Sequence, residues 1–142
     1  MLKPEEFFYL LSDETRLRCM LLLHAKSELC VCDFSFALQL VQPKISRHLA
    51  ILKGARVVSN RRDGTWFYYS MQPKLPIWAS LVISTFAKET QELYSSDLIR
   101  LNERDCSGCE KSTEASEVNS VKGSLQDILL NLTPATFNIP TG

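Results

Sequence analysis

The chain has 142 residues, 45% of them hydrophobic, and its sixteen Lys and Arg balance sixteen Asp and Glu to a formal net charge of zero. That length holds one domain and a tail, with enough apolar material for an ordinary soluble core. No wholly apolar run exceeds five residues, and Met1-Leu2-Lys3-Pro4-Glu5-Glu6 lacks the basic-then-apolar order of a secretion signal, so a cytoplasmic location is expected.

The five cysteines, in a compartment that keeps thiols reduced, point to metal, metalloid or redox chemistry rather than to a disulfide framework. Buried, inert thiol is the expectation for Cys19. Charge is segregated: residues 42–74 hold Lys44, Arg47, Lys53, Arg56, Arg61, Arg62 and Lys74 against Asp63 alone, a net +6, which leaves −6 for the rest of the chain. A basic module of this kind is a solvated face unless a nucleic-acid-binding motif coincides with it.

Pro4 to Leu11 predicts a short packing helix, with Phe7, Phe8, Leu10 and Leu11 behind a proline and two glutamates. Ser12 or Asp13 caps a second helix through about Ala25, whose buried face is Leu17, Met20, Leu21 and His24. His24 has no second histidine or carboxylate at ligand spacing and reads as a partly buried helix-end residue. Residues 30–40 predict a third helix with Phe34, Ala37 and Leu38 turned inward, Cys30 at its N-cap and Asp33 reaching back as a capping-box acid. A thiol caps poorly where Ser or Thr would cap well, so helix stability does not explain Cys30.

Val41-Gln42-Pro43 reads as a turn into a fourth helix from Lys44 to about Lys53. Ile45, Leu49 and Leu52 form its inward stripe, leaving Gln42, Lys44, Ser46, Arg47 and His48 where a recognition helix presents side chains to the major groove. Val57–Arg61 and Thr65–Ser70 read as two strands around Arg62-Asp63-Gly64, a β-wing with Arg61 and Arg62 at its tip for phosphate contacts. Trp66, Phe67, Tyr68 and Tyr69 read as packing and cross-strand groups rather than base-stacking ones.

From about Leu75 to Arg104, Trp78, Val82, Phe86, Leu93 and Leu101 predict one closing helix of about 30 residues, roughly 45 Å long. So long a stripe cannot be buried on a 70-residue module, and a second copy across a two-fold axis is the economical partner. The expected fold class is therefore mainly α with a small β-hairpin, a winged helix-turn-helix over residues 1–105 that dimerises through its terminal helices. Residues 106–142 are expected to form a loose tail carrying Cys106 and Cys109.

Ser12-Asp13-Glu14-Thr15-Arg16-Leu17, Glu28-Leu29-Cys30-Val31-Cys32-Asp33-Phe34 and Gln42-Pro43-Lys44-Ile45-Ser46-Arg47-His48-Leu49-Ala50 resemble the ArsR family of metalloregulatory repressors, in its arsenic-sensing branch. The likeness covers about residues 5–106. It implies a homodimeric repressor on a palindromic operator that lets go when arsenite or antimonite binds cysteines. Two positions depart from the branch. Its pattern places a third cysteine three residues after the second, where this chain has Ser35. Relatives also put a glycine immediately before the wing strand, whereas Lys53-Gly54-Ala55-Arg56-Val57 has it earlier, which predicts a recognition helix about two residues shorter.

Soft thiophilic As(III) or Sb(III) is selected by thiolates, and Cys30 and Cys32 near a helix amino terminus sit where the dipole favours thiolate. In a regular helix, residues i and i+2 are about 200° apart, so ligating one atom with both sulfurs requires the first turn to unwind. The third ligand is left to Cys106 or Cys109, or to solvent.

A thiol redox sensor keeps the DNA-binding role and changes the signal. A Zn or Cd sensor of this fold commonly takes His and carboxylates from the last helix, and residues 74–105 contain no His. An enzyme is not expected: the positions six residues after Cys30, Cys32, Cys106 and Cys109 are Phe36, Leu38, Ser112 and Ala115, not the arginine of a thiol oxyanion cradle, and no Gly-rich phosphate loop is present.

Overall fold

The structure, a computed structural model, describes residues 1–104; the expected loose tail, with Cys106 and Cys109, lies outside the described residues. Helices α1 (Pro4–Leu11), α2 (Glu14–Lys26), α3 (Val31–Leu38), α4 (Gln42–Gly54), α5 (Ile77–Glu89) and α6 (Gln91–Glu103) accompany strands β1 (Glu28–Cys30), β2 (Val58–Asp63) and β3 (Trp66–Met71). This is the winged helix-turn-helix expected from the sequence, with one strand more than the hairpin.

Asp13 caps α2 by accepting the Arg16 amide at 3.1 Å. Arg16, itself buried, donates its Nε to the Leu10 carbonyl at 2.7 Å and so satisfies an orphan acceptor at the end of α1. Phe7, Met20, Leu23, Phe34, Ile45, Leu49, Leu52, Val57 and Ile83 are fully buried and fuse α1–α5 into one core. The inward stripes predicted for α3 and α4 are therefore the observed ones. Between these two helices the chain turns at Gln39, which is left-handed (φ 55°), and Ser35 Oγ donates to the Leu40 carbonyl at 2.5 Å. Ser35 thus fixes the turn of the helix-turn-helix.

The displaced glycine does not shorten α4. The helix runs through Gly54, and the left-handed stop falls on Arg56 (φ 60°), a residue that pays a steric penalty there which glycine would not.

The wing is a three-stranded antiparallel sheet of order β1-β3-β2. Asp63 pairs with Trp66, so the two-residue turn is Gly64-Thr65 rather than Asp63-Gly64; Gly64 has φ 60° at its first position. Strand β1 is too short for alternation to reveal it, yet it pairs Glu28 with Ser70, Leu29 with Tyr69 and Cys30 with Tyr68. Cys30 is consequently the hinge residue between the wing sheet and α3.

The single closing helix is corrected to two. Thr90 ends α5 and begins α6; its hydroxyl bonds back to the Phe86 carbonyl, four residues earlier, which competes with helix propagation. The 86-to-93 apolar spacing hid this break because it preserves helical phase. Helix α5 packs on α2, and α6 lies against α3 and α2. With α6 folded back, Leu101 reaches the core, while Phe86 and Leu93 remain exposed. Two helices of 13 residues do not by their length call for a partner.

Candidate thiol and DNA-contact site

Cys30 and Cys32 are both unbridged, and the structure gives them different partners. Cys30 is 1% exposed, has extended dihedrals, and donates its Sγ–H to Asp33 Oδ2 at 3.2 Å; the same oxygen accepts the Cys30 amide at 3.0 Å. The capping-box acid is therefore where the sequence placed it. Cys32, half-buried in the first turn of α3, accepts a hydrogen bond from Gln42 Nε2 at 3.4 Å. Gln42 is the first residue of α4, so one thiol touches the carboxylate that starts α3 and the other touches the start of the next helix.

Asp33 is buried and also pairs with Arg104 Nη1 at 3.0 Å, joining the start of α3 to the end of α6. At the other end of α3, Arg100 Nε donates to the Ala37 carbonyl at 2.7 Å. Asp97, 2% exposed, accepts from Arg100 at 2.6 Å and bidentately from Arg18 of α2 at 2.6 and 2.7 Å. The hydrogen bond to Asp97, opposed by burial, holds the Arg18 guanidinium above its ordinary range. Helix α6 is thus clamped to both ends of α3. None of this latch was read from the sequence; acids and arginines spaced three apart (Asp97, Arg100) on a partly apolar helix were its available signal.

Cys19 lies fully buried in α2, and burial pushes its thiol up to about 12. It is an inert core residue, as expected. His24 is half-buried at the end of α2. Among the described residues no three His, Cys, Asp or Glu cluster to hold a metal ion.

On α4, Gln42, Lys44, Ser46 and Arg47 are exposed along the amino-terminal half, while Ile45 and Leu49 face the core. His48 differs: its side chain is 14% exposed and its Nδ1, buried and without a hydrogen-bond partner, faces Asp13 Oδ1 at 3.7 Å. That nitrogen meets the cap of α2 rather than the open face. On the wing, Arg62 is exposed, bonds the Gly64 carbonyl at 2.9 Å and lies over the Phe67 ring. Arg61 is engaged by Glu28 of β1 in a bidentate pair at 2.6 and 2.9 Å, and the Glu28 hydrogen bond raises its guanidinium above the ordinary value. Tyr68 is buried and Tyr69 half-buried, as a packing role requires, but Trp66 and Phe67 stand exposed beside the tip.

A helix-turn-helix with a basic recognition helix and a β-wing is the architecture of a DNA-binding transcriptional regulator. The family model described as "Bacterial regulatory protein, arsR family" matches residues 13–60. The chain is 44% identical over 103 residues to the arsenic resistance transcriptional regulator ArsR1 of Pseudomonas putida, covering 72% of this chain and 80% of that protein. It is 41% identical over 111 residues to the arsenical resistance operon repressor of Escherichia coli, covering 78% and 95%. Among solved structures, the AntR antimony-specific transcriptional repressor superposes with a TM-score of 0.53 at 21% identity, covering 67% of this chain and 88% of that one, a likeness of fold. The chain belongs to the ArsR family of transcriptional repressors, in its arsenic-resistance branch. Among the described residues no helix is long and apolar enough to cross a membrane.

Proposed function

We propose that the chain is a cytoplasmic homodimeric repressor that binds operator DNA until As(III) or Sb(III) bonds to Cys30 and Cys32. The observation that carries this reading is the pair of hydrogen bonds, Cys30 to Asp33 and Gln42 to Cys32, which tie the two sulfurs to the starts of α3 and α4. Arsenite condenses with thiols as As(OH)3 + 3 RSH → As(SR)3 + 3 H2O, so each ligating sulfur gives up its proton to departing water. Cys30 then has no proton to donate to Asp33, and Cys32 must turn toward the shared arsenic and away from Gln42. Because Cys30 also belongs to β1, the disturbance reaches the wing and the helix-turn-helix together.

The third position on the metalloid is filled by Cys106 or Cys109, which lie outside the described residues, or by solvent. Lys44, Ser46 and Arg47 read the major groove, Arg62 contacts phosphate, and His48 orients the helix through Asp13. Arg61 reaches DNA by exchanging Glu28 for phosphate.

Self-association is supported by apolar surface on the terminal helices. Phe7 of α1 packs edge-on against Trp78 of α5 at 5.2 Å, and their sequence neighbours Phe8 and Ile77 are 51% and 70% exposed. The test is arsenite-driven operator release by wild type and by Cys32→Ser, followed by mobility shift. The variant should remain bound at arsenite concentrations that clear the wild type; equal release by both defeats the reading.

A further inference from the structure

We infer that Gln42 is the coupling residue of this switch, the group through which the recognition helix senses the state of the Cys32 sulfur. The inference rests on the metalloid-release reading above and adds to it a specific carrier of the signal. Three observations converge on it. Gln42 Nε2 donates to Cys32 Sγ across the helix-turn-helix at 3.4 Å, linking the thiol turn of α3 to the first residue of α4. The N-cap of α4 is Val41, whose side chain makes no capping bond, so the sulfur supplies a polar anchor that the cap does not. Finally, the first core contact of α4 is Ile45, and Gln42, Pro43 and Lys44 before it are all exposed. The amino-terminal turn of the recognition helix, the part that enters the groove, therefore relies on an anchor in the thiol site itself.

The consequence is a difference between the two states. With free thiols, the Cys32 bond holds the Gln42 side chain and the start of α4 in one arrangement. With arsenic bonded to Cys32, the sulfur is displaced toward its fellow ligands and its remaining lone pairs are poorer acceptors, so the anchor is gone. A residue that couples in this way stabilises DNA binding in the thiol state only. A residue that merely touches DNA helps in both. Linkage makes the effect reciprocal: whatever factor the anchor adds to operator affinity, it subtracts from arsenite affinity on the operator-bound protein.

The experiment uses the full chain and an operator duplex selected from a random-sequence library. Operator affinity is measured for wild type and Gln42→Met, each without metalloid and with saturating sodium arsenite, at low salt so that the residual affinity of the liganded form is measurable. Methionine keeps the length and helix preference of glutamine and cannot donate. The inference expects Gln42→Met to lose about three- to tenfold in the thiol state, the range for one or two modest hydrogen bonds in a dimer, and nothing in the arsenite state. The ratio of the two affinities then shrinks by that factor, and Gln42→Ala should reproduce the smaller ratio. Equal losses in both states, or none in either, would overturn it. If wild type binds no arsenite, or keeps its operator while arsenite is bound, the release reading has failed and this inference goes with it. A wild type that releases normally beside variants of unchanged ratio sinks the coupling role alone.

Discussion

Replacing Asp33 by alanine removes a carboxylate that accepts two hydrogen bonds from Cys30 and pairs ionically with Arg104. The Cys30 amide (3.0 Å) and Cys30 Sγ (3.2 Å) share Oδ2, and Arg104 Nη1 lies 3.0 Å from Oδ1. Cys30 is 1% exposed, so its amide loses the carboxylate where no water replaces it, which costs about 1–3 kcal/mol. The Arg104 side chain as a whole is 23% exposed although its Nη1 is buried, and its lost ion pair adds about 1 kcal/mol. A total of about 2–4 kcal/mol is expected, and since 1 kcal/mol moves Tm by roughly 4–8 °C in a domain of this size, melting should fall by on the order of 10–30 °C. Asp33→Asn retains an acceptor for the Cys30 amide and should lose less than half as much. Urea unfolding followed by tryptophan fluorescence gives both values. A change below about 0.5 kcal/mol for Asp33→Ala would refute the assignment of Asp33 as the junction of α3 and α6.

Three further outcomes follow from the same geometry. Arg56→Gly relieves a left-handed residue and should stabilise by about 1 kcal/mol; Gly54→Ala, whose added Cβ meets nothing within 4 Å, should add about 0.5–1 kcal/mol, both read by urea midpoint. Burial works against the Asp13 charge, yet the Arg16 amide and nearby His48 and Arg16 hold the carboxyl below its ordinary range. A carboxyl lowered in the folded state protonates first in the unfolded chain. Its contribution is present above pH of about 4 and vanishes as pH falls through the folded value, so wild type and Asp13→Asn should converge in stability toward acid pH. Arg47→Ala should weaken a selected operator more than random duplex, whereas Arg62→Ala, lost from both protomers of the dimer, should weaken all sequences alike and flatten the salt dependence by about two units of slope, as measured by fluorescence anisotropy.

What was legible in the sequence was whatever rests on local periodicity or a short motif. The stripes Phe34-Ala37-Leu38 and Ile45-Leu49-Leu52, the Asp33 cap and the wing all follow from spacing that a few residues fix by themselves. What stayed hidden depends on elements distant in the chain. Strand β1 exists because β3 offers it an edge 40 residues later. The break at Thr90 is invisible to a helical stripe that stays in phase across it, and the Asp33–Arg104, Arg18–Asp97 and Glu28–Arg61 pairs join residues whose separation no motif encodes. His48 belongs to the same class: on α4 it falls near the exposed face, and the cap of α2 draws its Nδ1 inward.

Ser35 brings the two kinds of information together. It stands where the arsenic-sensing branch places a third cysteine, and its hydroxyl closes the turn by donating to the Leu40 carbonyl at 2.5 Å. A thiol is a weaker donor and a longer one, so Ser35→Cys should weaken this turn and cost about 1 kcal/mol in urea unfolding. In exchange it would place a third sulfur on α3, one turn beyond Cys32, so that the metalloid no longer needs a donor from the tail. Arsenite affinity measured by calorimetry should then separate four proteins. Cys106→Ser combined with Cys109→Ser should weaken binding in the natural background and leave it unchanged when Ser35→Cys is also present. If the tail substitutions weaken both backgrounds equally, the tail thiols act outside the inner coordination sphere. If they weaken neither, the site closes with two sulfurs and solvent, and the anchoring of Arg104 serves only to hold α6 against α3.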